Sequence, residues 1–449
     1  MDKEQFTKFL DKNILPIFTG SEIVGEEPSS PRDQLVAQGN SGTLLVKYNK
    51  ADDYRMVIKR LQPFKKFEIT LVRSIMSELV KVIGDRTTAP YLPVIQRHII
   101  ERAICKSVSE KEYATLLALV NLMTKWSSRT YEGNDTEFGF IVLGKKAAMQ
   151  TNKNLQISSV LNENFSAVLA DGSHGCLEVT SDGYLIDYVD VKPSKKENIY
   201  APFSYINLAE MCTGTRSGVT LTKDGDILMF KDQALTYAKK GGTWVRYSHE
   251  EIIDRIADKS SEAGDQTRKS IYLSALDVSF ARTGGCVVHL NKDSDEEVLK
   301  HIDEANILIE KYYNLKMEQK HDVSFFNLSP EITEEEYLPY SEFLKQPQSL
   351  KISSLRNIIK GKKFYELSRK LREDLLSIDG ATIINNEGDV LAVGAIVKIE
   401  DGGFAGGRLA AAKTLAKFGV SLKISNDGQI QGFKMDKSKL RSVPIFMLG

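Results

Sequence analysis

The sequence predicts an α/β (α+β) protein with more than one domain, and two observations support this. The chain has 449 residues, which is more than a single hydrophobic core usually organises. Stretches with apolar residues at helical spacing alternate along it with stretches in which apolar residues recur at every second position. We predict an N-terminal mixed helical and β domain at 1–135, a β-rich domain at 136–260 and a C-terminal mixed-sheet domain with flanking helices at 268–449.

The composition excludes several classes of protein. Because 42% of the residues are hydrophobic and 27% are charged, the chain belongs with ordinary globular proteins and not with disordered or fibrous ones. Lysine and arginine together number 60, as do aspartate and glutamate, so no net field draws the protein to nucleic acid, and we expect no nucleic-acid partner. The four cysteines are scattered singly, which is neither a zinc-binding nor a disulfide pattern.

The N-terminus predicts a cytoplasmic protein. It begins Met1-Asp2-Lys3-Glu4, with charges where the apolar region of a signal peptide would be needed. No stretch of the sequence approaches the ~20 consecutive apolar residues of a membrane-spanning helix. We therefore expect no membrane partner.

The first 130 residues combine a hairpin with helices. Apolar residues at 43–46 and 54–58 flank a polar turn and predict a β-hairpin, and helical spacing predicts helices at 69–83 and 110–125. We find no catalytic constellation in this part of the chain.

The next 110 residues are predicted to be rich in strands. Asp182-Gly183 and Asp224-Gly225 each lie between apolar runs, which is the strongest short signal for a hairpin. Asp171, His174 and Cys176 are crowded into six residues, and a metal site or a nucleophile is conceivable there. Without partner residues elsewhere, we favour a glycine-rich turn that enters a strand.

The C-terminal region opens with helix and strand patterns. We predict a helix at 271–280, a strand at 286–290, an amphipathic helix at 293–314 and a further helix at 364–376. The acidic segment 329–347 is predicted to be a loop or a short irregular helix.

A possible binding turn follows the last of these helices. Asp379-Gly380-Ala381 leads into a strand at 382–384, which the turn 386–389 connects to a second strand at 390–397. A carboxylate in a tight turn at the mouth of a sheet is well placed to hold a divalent cation or a ribose hydroxyl. Gly380 would let the ligand approach closely.

A glycine-rich loop then opens a helix. Residues 401–408 include Gly406, Gly407 and Arg408, and a helix is predicted at 409–417 with Gly419 as its C′ residue. Free N–H groups and the helix dipole favour a phosphate at such a start, and an arginine adds a fork of donors. The spacing matches neither the Rossmann nor the Walker motif, so a purely steric reason for the glycines stays open. A hairpin at 420–433 closes the domain.

The order of these motifs resembles the diadenylate cyclase domain family, over roughly residues 268 to 440 and most strongly from Phe364 onward. Asp379-Gly380-Ala381 matches the family's DGA motif, and Arg408-Leu409-Ala410 stands where its RHR motif is expected. The resemblance implies that Asp379 is the catalytic carboxylate and ligand of Mg²⁺ or Mn²⁺. It also implies that Gly380, Ala381, Gly406, Gly407 and Arg408 hold the nucleotide.

The departures from the family favour binding without turnover. Leu409 and Ala410 replace two residues that support the triphosphate in the family, and Asn426 stands where the family has an acidic residue. We predict an adenine-nucleotide-binding protein whose degenerate site acts as a nucleotide sensor or regulator. The alternative is an active diadenylate cyclase that condenses two ATP molecules to cyclic di-AMP across a homo-oligomer, with the metal neutralising charge.

Overall fold

A computed structural model describes most of the chain. It leaves out residues 1, 41, 50, 61, 84–90, 145–154, 161–168, 195, 257–260, 327–337, 400–405 and 437, and the side chains of 83, 160 and 320–326. The chain divides into two compact units, Met1–Ser248 and His249–Leu448. Both contain helices and sheets, and parallel as well as antiparallel strand pairs occur, which confirms the α/β class.

The first half of the first unit joins a small sheet to a group of helices. The order is α1 (Lys3–Asn13), β1 (Glu22–Pro28), β2 (Val36–Gln38), β3 (Thr43–Val46), β4 (Tyr54–Lys59), α2 (Lys66–Ile83), α3 (Leu92–Val108) and α4 (Tyr113–Trp126). The strands form an antiparallel sheet in the order β1-β4-β3-β2, and the predicted hairpin is the pair β3–β4. The sequence pattern does not predict helix α3, because its apolar residues do not follow one clean stripe.

The second half of the first unit is dominated by a larger sheet. Its elements are β5 (Thr130–Tyr131), β6 (Asn134–Asp135), β7 (Phe138–Val142), α5 (Ile157–Val160), β8 (Gly175–Val179), β9 (Leu185–Asp190), α6 (Ile206–Met211), β10 (Ser217–Leu221), β11 (Ile227–Lys231), β12 (Ala234–Lys240) and β13 (Thr243–Arg246). Seven strands pair in the order β13-β12-β11-β10-β7-β8-β9. Both predicted Asp-Gly hairpins, β8–β9 and β10–β11, are present.

One hydrophobic cluster runs through the whole first unit. It contains buried side chains from Phe6 in α1 to Trp244 in β13, and it joins both sheets to helices α2, α3 and α4. Apolar side chains therefore pack together across residue 135. The three-domain division, with boundaries at 135 and 260, stays a prediction.

The second unit has helices on both faces of a six-stranded sheet. Its elements are α7 (His249–Ile256), α8 (Glu262–Phe280), β14 (Gly285–Leu290), α9 (Asp295–Leu299), α10 (Glu310–Phe326), α11 (Tyr340–Phe343), α12 (Leu350–Ile359), α13 (Arg369–Ser377), β15 (Ala381–Ile384), β16 (Val390–Ala395), α14 (Gly407–Leu415), β17 (Gly419–Ile424), β18 (Ile430–Asp436) and β19 (Arg441–Leu448). The strand order is β16-β15-β14-β17-β18-β19.

The two faces of this sheet are covered by different helices. Because side chains alternate along a strand, Cys286, Val288 and Leu290 of β14 share one face, and they lie in a buried cluster with residues of α14. Helices α8 and α13 contact β14 as well, and a buried ion pair joins them. Arg369 donates to Asp277 through Nε and Nη2, each at 2.7 Å, and neither side chain is exposed to solvent.

The prediction of one amphipathic helix over 293–314 is wrong. Helix α9 ends at Leu299, and α10 begins only at Glu310. Between them the chain forms a 3₁₀ turn at Glu304–Asn306 and two isolated bridges, to the end strand β16 and to Val397 just after it. Leu308 donates its N–H to the carbonyl of Leu391 at 2.8 Å, and Lys398 donates to the carbonyl of His301 at 2.8 Å. The unpaired backbone groups of an end strand offered this segment an alternative to helical hydrogen bonds.

Two smaller expectations also need correction. Helix α13 begins at Arg369, later than predicted, after a 3₁₀ turn at Phe364–Glu366. Gly419 is not a helix C′ residue but the first residue of β17, where a side chain would collide with the carbonyl of His289. The segment 329–347, predicted to be a loop or a short irregular helix, lies partly outside the described residues and otherwise contains the short helix α11, in agreement with the second alternative. In the described part of the chain, no helix has the length and hydrophobicity to cross a membrane.

Candidate functional site

The predicted site residues lie at one edge of the six-stranded sheet. Strands β14 and β15 are parallel, with Cys286 opposite Ala381, so both begin at this edge. Strands β16 and β17 run antiparallel to them and end there, because Ala381 pairs with Ala395 and Gly285 pairs with Ile424. We call this the amino-terminal edge. The segments 283–285, 378–380, 395–396 and 424–427 meet at it.

Asp379 lies in the turn that enters β15, and its side chain is exposed. Gly380 follows with a φ of 105°, which side chains rarely allow. A Cβ atom on Gly380 would lie 2.5 Å from the carbonyl carbon of Gly394. The glycine of this motif is therefore required by the close approach of two backbone segments of the protein itself.

Ala381 is fully buried and belongs to the hydrophobic cluster of the second unit. Its backbone pairs with β14 on one side and β16 on the other. The methyl group thus contributes to the core, and of the three DGA residues only Asp379 directs a polar side chain to solvent.

Helix α14 begins at the same edge. Gly406 is its N-cap residue, and no side chain caps the first turn in the part of the chain described. Residues 401–405 of the predicted glycine-rich loop lie outside the described residues, and among those described no atom comes within 4 Å of a Cβ atom placed on Gly406 or Gly407. The approach to the first N–H groups of α14 is therefore open on the described side, and these groups carry the positive end of the helix dipole.

Arg408 lies in the first turn of α14 and is half-buried. Its Nη1 donates to Oδ1 of Asn426 at 2.5 Å. Because Asn426 is neutral, the charge of Arg408 is positioned but not neutralised by this contact. Burial raises the pKa of the nearby Cys286 thiol to about 12, and the guanidinium of Arg408 only partly opposes this. Cys286 is therefore a protonated core residue at neutral pH, not a nucleophile.

Short contacts connect the loops of the edge. The hydroxyl groups of Thr283 and Ser377 hydrogen bond at 2.8 Å, which joins the start of β14 to the end of α13. The guanidinium of Arg282 donates to the carbonyl of Asp427, and Ser279 donates to the carbonyl of Gly428 at 2.5 Å. The turn between β17 and β18 is thereby held against the segment that precedes β14.

The sequence did not identify Lys351 as a residue of this edge. Its Nζ donates to the carbonyl of Gly394 at 2.8 Å and lies 3.5 Å from Oδ1 of Asn306. Burial lowers the pKa of Lys351, and the carboxylate of Asp379 opposes this effect. No sequence signal marks this residue, because it comes from a helix inserted between β14 and β15, far from both motifs.

The cluster of Asp171, His174 and Cys176 is a structural turn, as favoured from the sequence. Oδ1 of Asp171 accepts from the N–H groups of Ser173 and His174 at 2.8 and 2.7 Å. Burial raises the pKa of Asp171, but hydrogen bonds from His174 and its neighbours outweigh this and hold it at about 2. Burial raises the pKa of Cys176 well above its ordinary value, so no thiolate is available.

Comparison with known proteins assigns no family to this chain. No protein-family model matches it. No curated protein matches it significantly either. The function is therefore argued from the geometry of the amino-terminal edge.

Proposed function

We propose that the second unit binds an adenine nucleotide at the amino-terminal edge and acts as a nucleotide sensor or regulator. The observation that carries this proposal is the convergence of the two sequence motifs on one sheet edge. Asp379 lies at the start of β15 and Arg408 at the start of α14, and both starts lie beside β14. The motifs are 29 positions apart in the sequence, 408 less 379, and the fold brings them to the same edge.

The phosphates would bind at α14. An uncapped helix start, two glycines with no described atom close to them and a positioned guanidinium are features that favour an anion. Arg408 would exchange its contact with Asn426 for a charge-assisted bond, or bind the phosphate through its remaining donors. Ile396 is 76% exposed and follows the residue that pairs with Ala381, so it offers apolar surface to an adenine ring.

A divalent metal would be held by Asp379 together with the nucleotide phosphates. Mg²⁺ commonly takes one or two carboxylates and completes its coordination with phosphate oxygens and water. The exposed carboxylate of Asp379 fits this type of site. The metal would supply charge neutralisation at the α-phosphate, and Asp379 would orient it.

The degenerate motif favours regulation over turnover. Ala410 is buried, and Leu409 packs against the hydrophobic cluster of the second unit. Arg408 therefore supplies the charge of the first turn of α14 alone. Because phosphoryl transfer depends on positive charge around the phosphates, a site with this one arginine is better suited to binding than to catalysis. Occupancy would be transmitted to the first unit.

An active diadenylate cyclase remains the second candidate, because Lys351 offers a substitute cation. Its ammonium group lies at the turn of Gly394, within electrostatic reach of Asp379. If it turned toward a bound phosphate, the edge would present two cations instead of one. This candidate also requires a homo-oligomer in which two sites face each other.

Binding is tested by thermal shift with ATP, ADP and cyclic di-AMP, followed by titration calorimetry. We expect at least one nucleotide to stabilise the protein, and Arg408→Ala to weaken its binding about tenfold or more, because a charge-assisted hydrogen bond is lost. Lys413→Ala is the matched control, since Lys413 is exposed and lies in the last turn of the same helix. No stabilisation by any nucleotide at millimolar concentration would contradict the proposal.

Turnover is tested by incubating the protein with labelled ATP and Mg²⁺ or Mn²⁺ and separating the products. We expect little or no cyclic di-AMP. Cyclic di-AMP formation that is lost in both Asp379→Asn and Lys351→Gln would instead establish the cyclase with Lys351 as the replacement cation. Leu409→His with Ala410→Arg asks whether restoring the family's motif restores turnover.

A further inference from the structure

A cavity lies in the second unit, beside the end strand β16. Its volume is about 710 Å³, which is within the usual range for small-molecule sites. The start of α10, the end of α12 and the start of β16 form its walls, so it lies toward the opposite end of β16 from the amino-terminal edge. Much of this lining comes from the segment inserted between β14 and β15.

The lining of this cavity carries an excess of positive charge. Four cations contribute to it: Lys311, Arg356, Lys360 and Lys362. In the part of the chain described, none of the four forms an ion pair with a carboxylate. Of the two carboxylates in the lining, Asp389 is paired with Lys363 at 2.8 Å, which leaves Glu310. Among the described residues that line the cavity, four cations therefore face one carboxylate without an ion pair, an excess of three positive charges.

Arg356 is positioned at this cavity by its packing. Its guanidinium lies over the ring of Tyr340, 4.7 Å from the ring centre, and the residue is half-buried. Tyr340 is itself buried, and its hydroxyl donates to the carbonyl of Ile307 at 2.9 Å. The planar guanidinium is therefore held by a rigid support, which lowers the entropic cost of binding an anion.

The apolar part of the lining gives these charges a partly dry surrounding. Leu308, Ile359 and Val390 line the cavity and are buried. Helix α10 begins at Glu310, so its first N–H groups and the positive end of its dipole lie at the same wall. Clustered cations repel one another, and an anion with several charges relieves this repulsion better than a single charge does.

We propose that this cavity binds an anion with two or more adjacent phosphate groups. Such a group occurs in inorganic pyrophosphate and tripolyphosphate and in the phosphate chain of a nucleotide. Arg356 would take one phosphate through its fork of donors, and the three lysines would neutralise the others. The site is separate from the nucleotide site proposed at the amino-terminal edge and does not depend on it.

The test is titration calorimetry of the full chain with pyrophosphate, tripolyphosphate, ATP and inorganic phosphate, in a metal-free buffer of low ionic strength. We expect pyrophosphate and tripolyphosphate to bind more tightly than phosphate, and the binding to weaken with added salt. Arg356→Gln is expected to raise Kd about tenfold or more. Lys345→Gln is the matched control, because Lys345 is an exposed lysine of the same inserted segment outside the cavity.

Further variants decide between the outcomes. Lys311→Gln with Lys360→Gln alters two exposed side chains, so it tests the cavity even if Arg356→Gln disturbs folding. The arms with ATP and tripolyphosphate distinguish a nucleotide from a free polyphosphate. Absence of binding at millimolar concentration, or unchanged Kd in the double lysine variant, would overturn the proposal. So would a loss of pyrophosphate binding in Arg408→Ala alone, because it would place the anion at α14.

Discussion

The amino-terminal edge has two sides, one around Asp379 and one at the start of α14, and they differ in how tightly the protein packs around their glycines. On the Asp379 side, Gly380 packs against the backbone of Gly394, and Ala381 is buried in the core. On the α14 side, a Cβ atom added to Gly406 or Gly407 would have no atom of the described chain within 4 Å. We call the first the closed side, because the protein itself fills it, and the second the open side, because no described residue fills the space beside its glycines.

This difference shows that glycines of a motif can serve two purposes. At Gly380 the absence of a side chain allows two backbone segments to pack, whereas at Gly406 it leaves space that no described residue fills. Substitutions on the closed side should therefore lower stability, and those on the open side should change binding. The two units can be followed separately. Both tryptophans, Trp126 and Trp244, lie in the first unit, so their fluorescence reports on that unit, and hydrogen exchange of the β14 and β15 amides reports on the second.

The largest effect is expected at the buried ion pair between α8 and α13, the helix that leads into the closed side. Arg369→Met should reduce the stability of the second unit by about 3–5 kcal/mol, because the buried carboxylate of Asp277 loses the charge and both hydrogen bonds that Arg369 supplies. Hydrogen exchange of the β14 and β15 amides should accelerate about a hundredfold or more. Tryptophan fluorescence of the first unit serves as the internal control.

The double variant Arg369→Met with Asp277→Leu separates the charge from the packing. Replacement of both partners by apolar residues should recover much of the lost stability. If exchange in β14 is the same in Arg369→Met as in the unsubstituted protein, the pair does not hold α13 to α8.

A second effect is pH-dependent and comes from His289 in β14. The residue is 2% exposed, and neither ring nitrogen has a hydrogen-bond partner in the part of the chain described. Burial, with Arg268 adding to it, lowers the pKa of His289 from 6.5 to about 4. Between these values the unfolded chain binds a proton that the folded chain does not. Stability therefore falls as the pH decreases from 6.5 to 4, by about 3 kcal/mol in total.

His289→Leu removes this titration and should flatten that part of the pH profile. The comparison is the difference in β14 exchange between the two proteins from pH 7 to pH 4, corrected for the intrinsic exchange rate. Above pH 6.5 the difference should be constant. If the stability of both proteins declines in parallel as the pH falls, His289 is not the group responsible.

A third effect is expected at the DGA glycine. Gly380→Ala should cost about 2 kcal/mol or more, because a side chain is strained at a φ of 105° and its Cβ would lie 2.5 Å from Gly394. This loss of stability is measured by urea unfolding, with hydrogen exchange of the β15 amides as the probe of the second unit. A stability equal to that of the unsubstituted protein would mean that the turn can relax and is not closed.

The sequence predicted five of the six strands of the second unit because their signals are local, but it did not predict β19, so the hairpin at 420–433 does not close the domain as expected. The turns at 386–389 and 426–428 lie between short apolar runs, and the pairs β15–β16 and β17–β18 are present. The prediction of one helix at 293–314 failed although its apolar spacing was right. Backbone groups of this segment bond to β16 and to Lys398 just after it, instead of completing a helix. Periodicity identifies which residues are buried, but it does not identify what they pair with.

The non-local part of the site could not be predicted. Lys351 reaches the edge only because the inserted segment folds back beside Gly394. The charged cavity likewise combines Lys311, Arg356 and Lys360 from helices that are adjacent only in the folded unit. No spacing in the sequence encodes either arrangement.

The smallest effect on stability, and the sharpest test of the open side, is expected for Gly406→Ala. The φ of Gly406 is −52°, which alanine adopts freely, and its Cβ would meet nothing within 4 Å. Stability should change by less than about 1 kcal/mol, because the loss of a favourable N-cap residue is offset by lower entropy of the unfolded chain. If a phosphate approaches the start of α14, the added methyl group should nevertheless weaken nucleotide binding about fivefold or more. Titration calorimetry measures the effect on binding and hydrogen exchange measures the effect on stability. Weaker binding with unchanged exchange would show that the methyl group acts on the ligand and not on the fold. Normal binding in both Gly406→Ala and Gly407→Ala would show that the ligand does not approach α14 and that the open side is not the phosphate site.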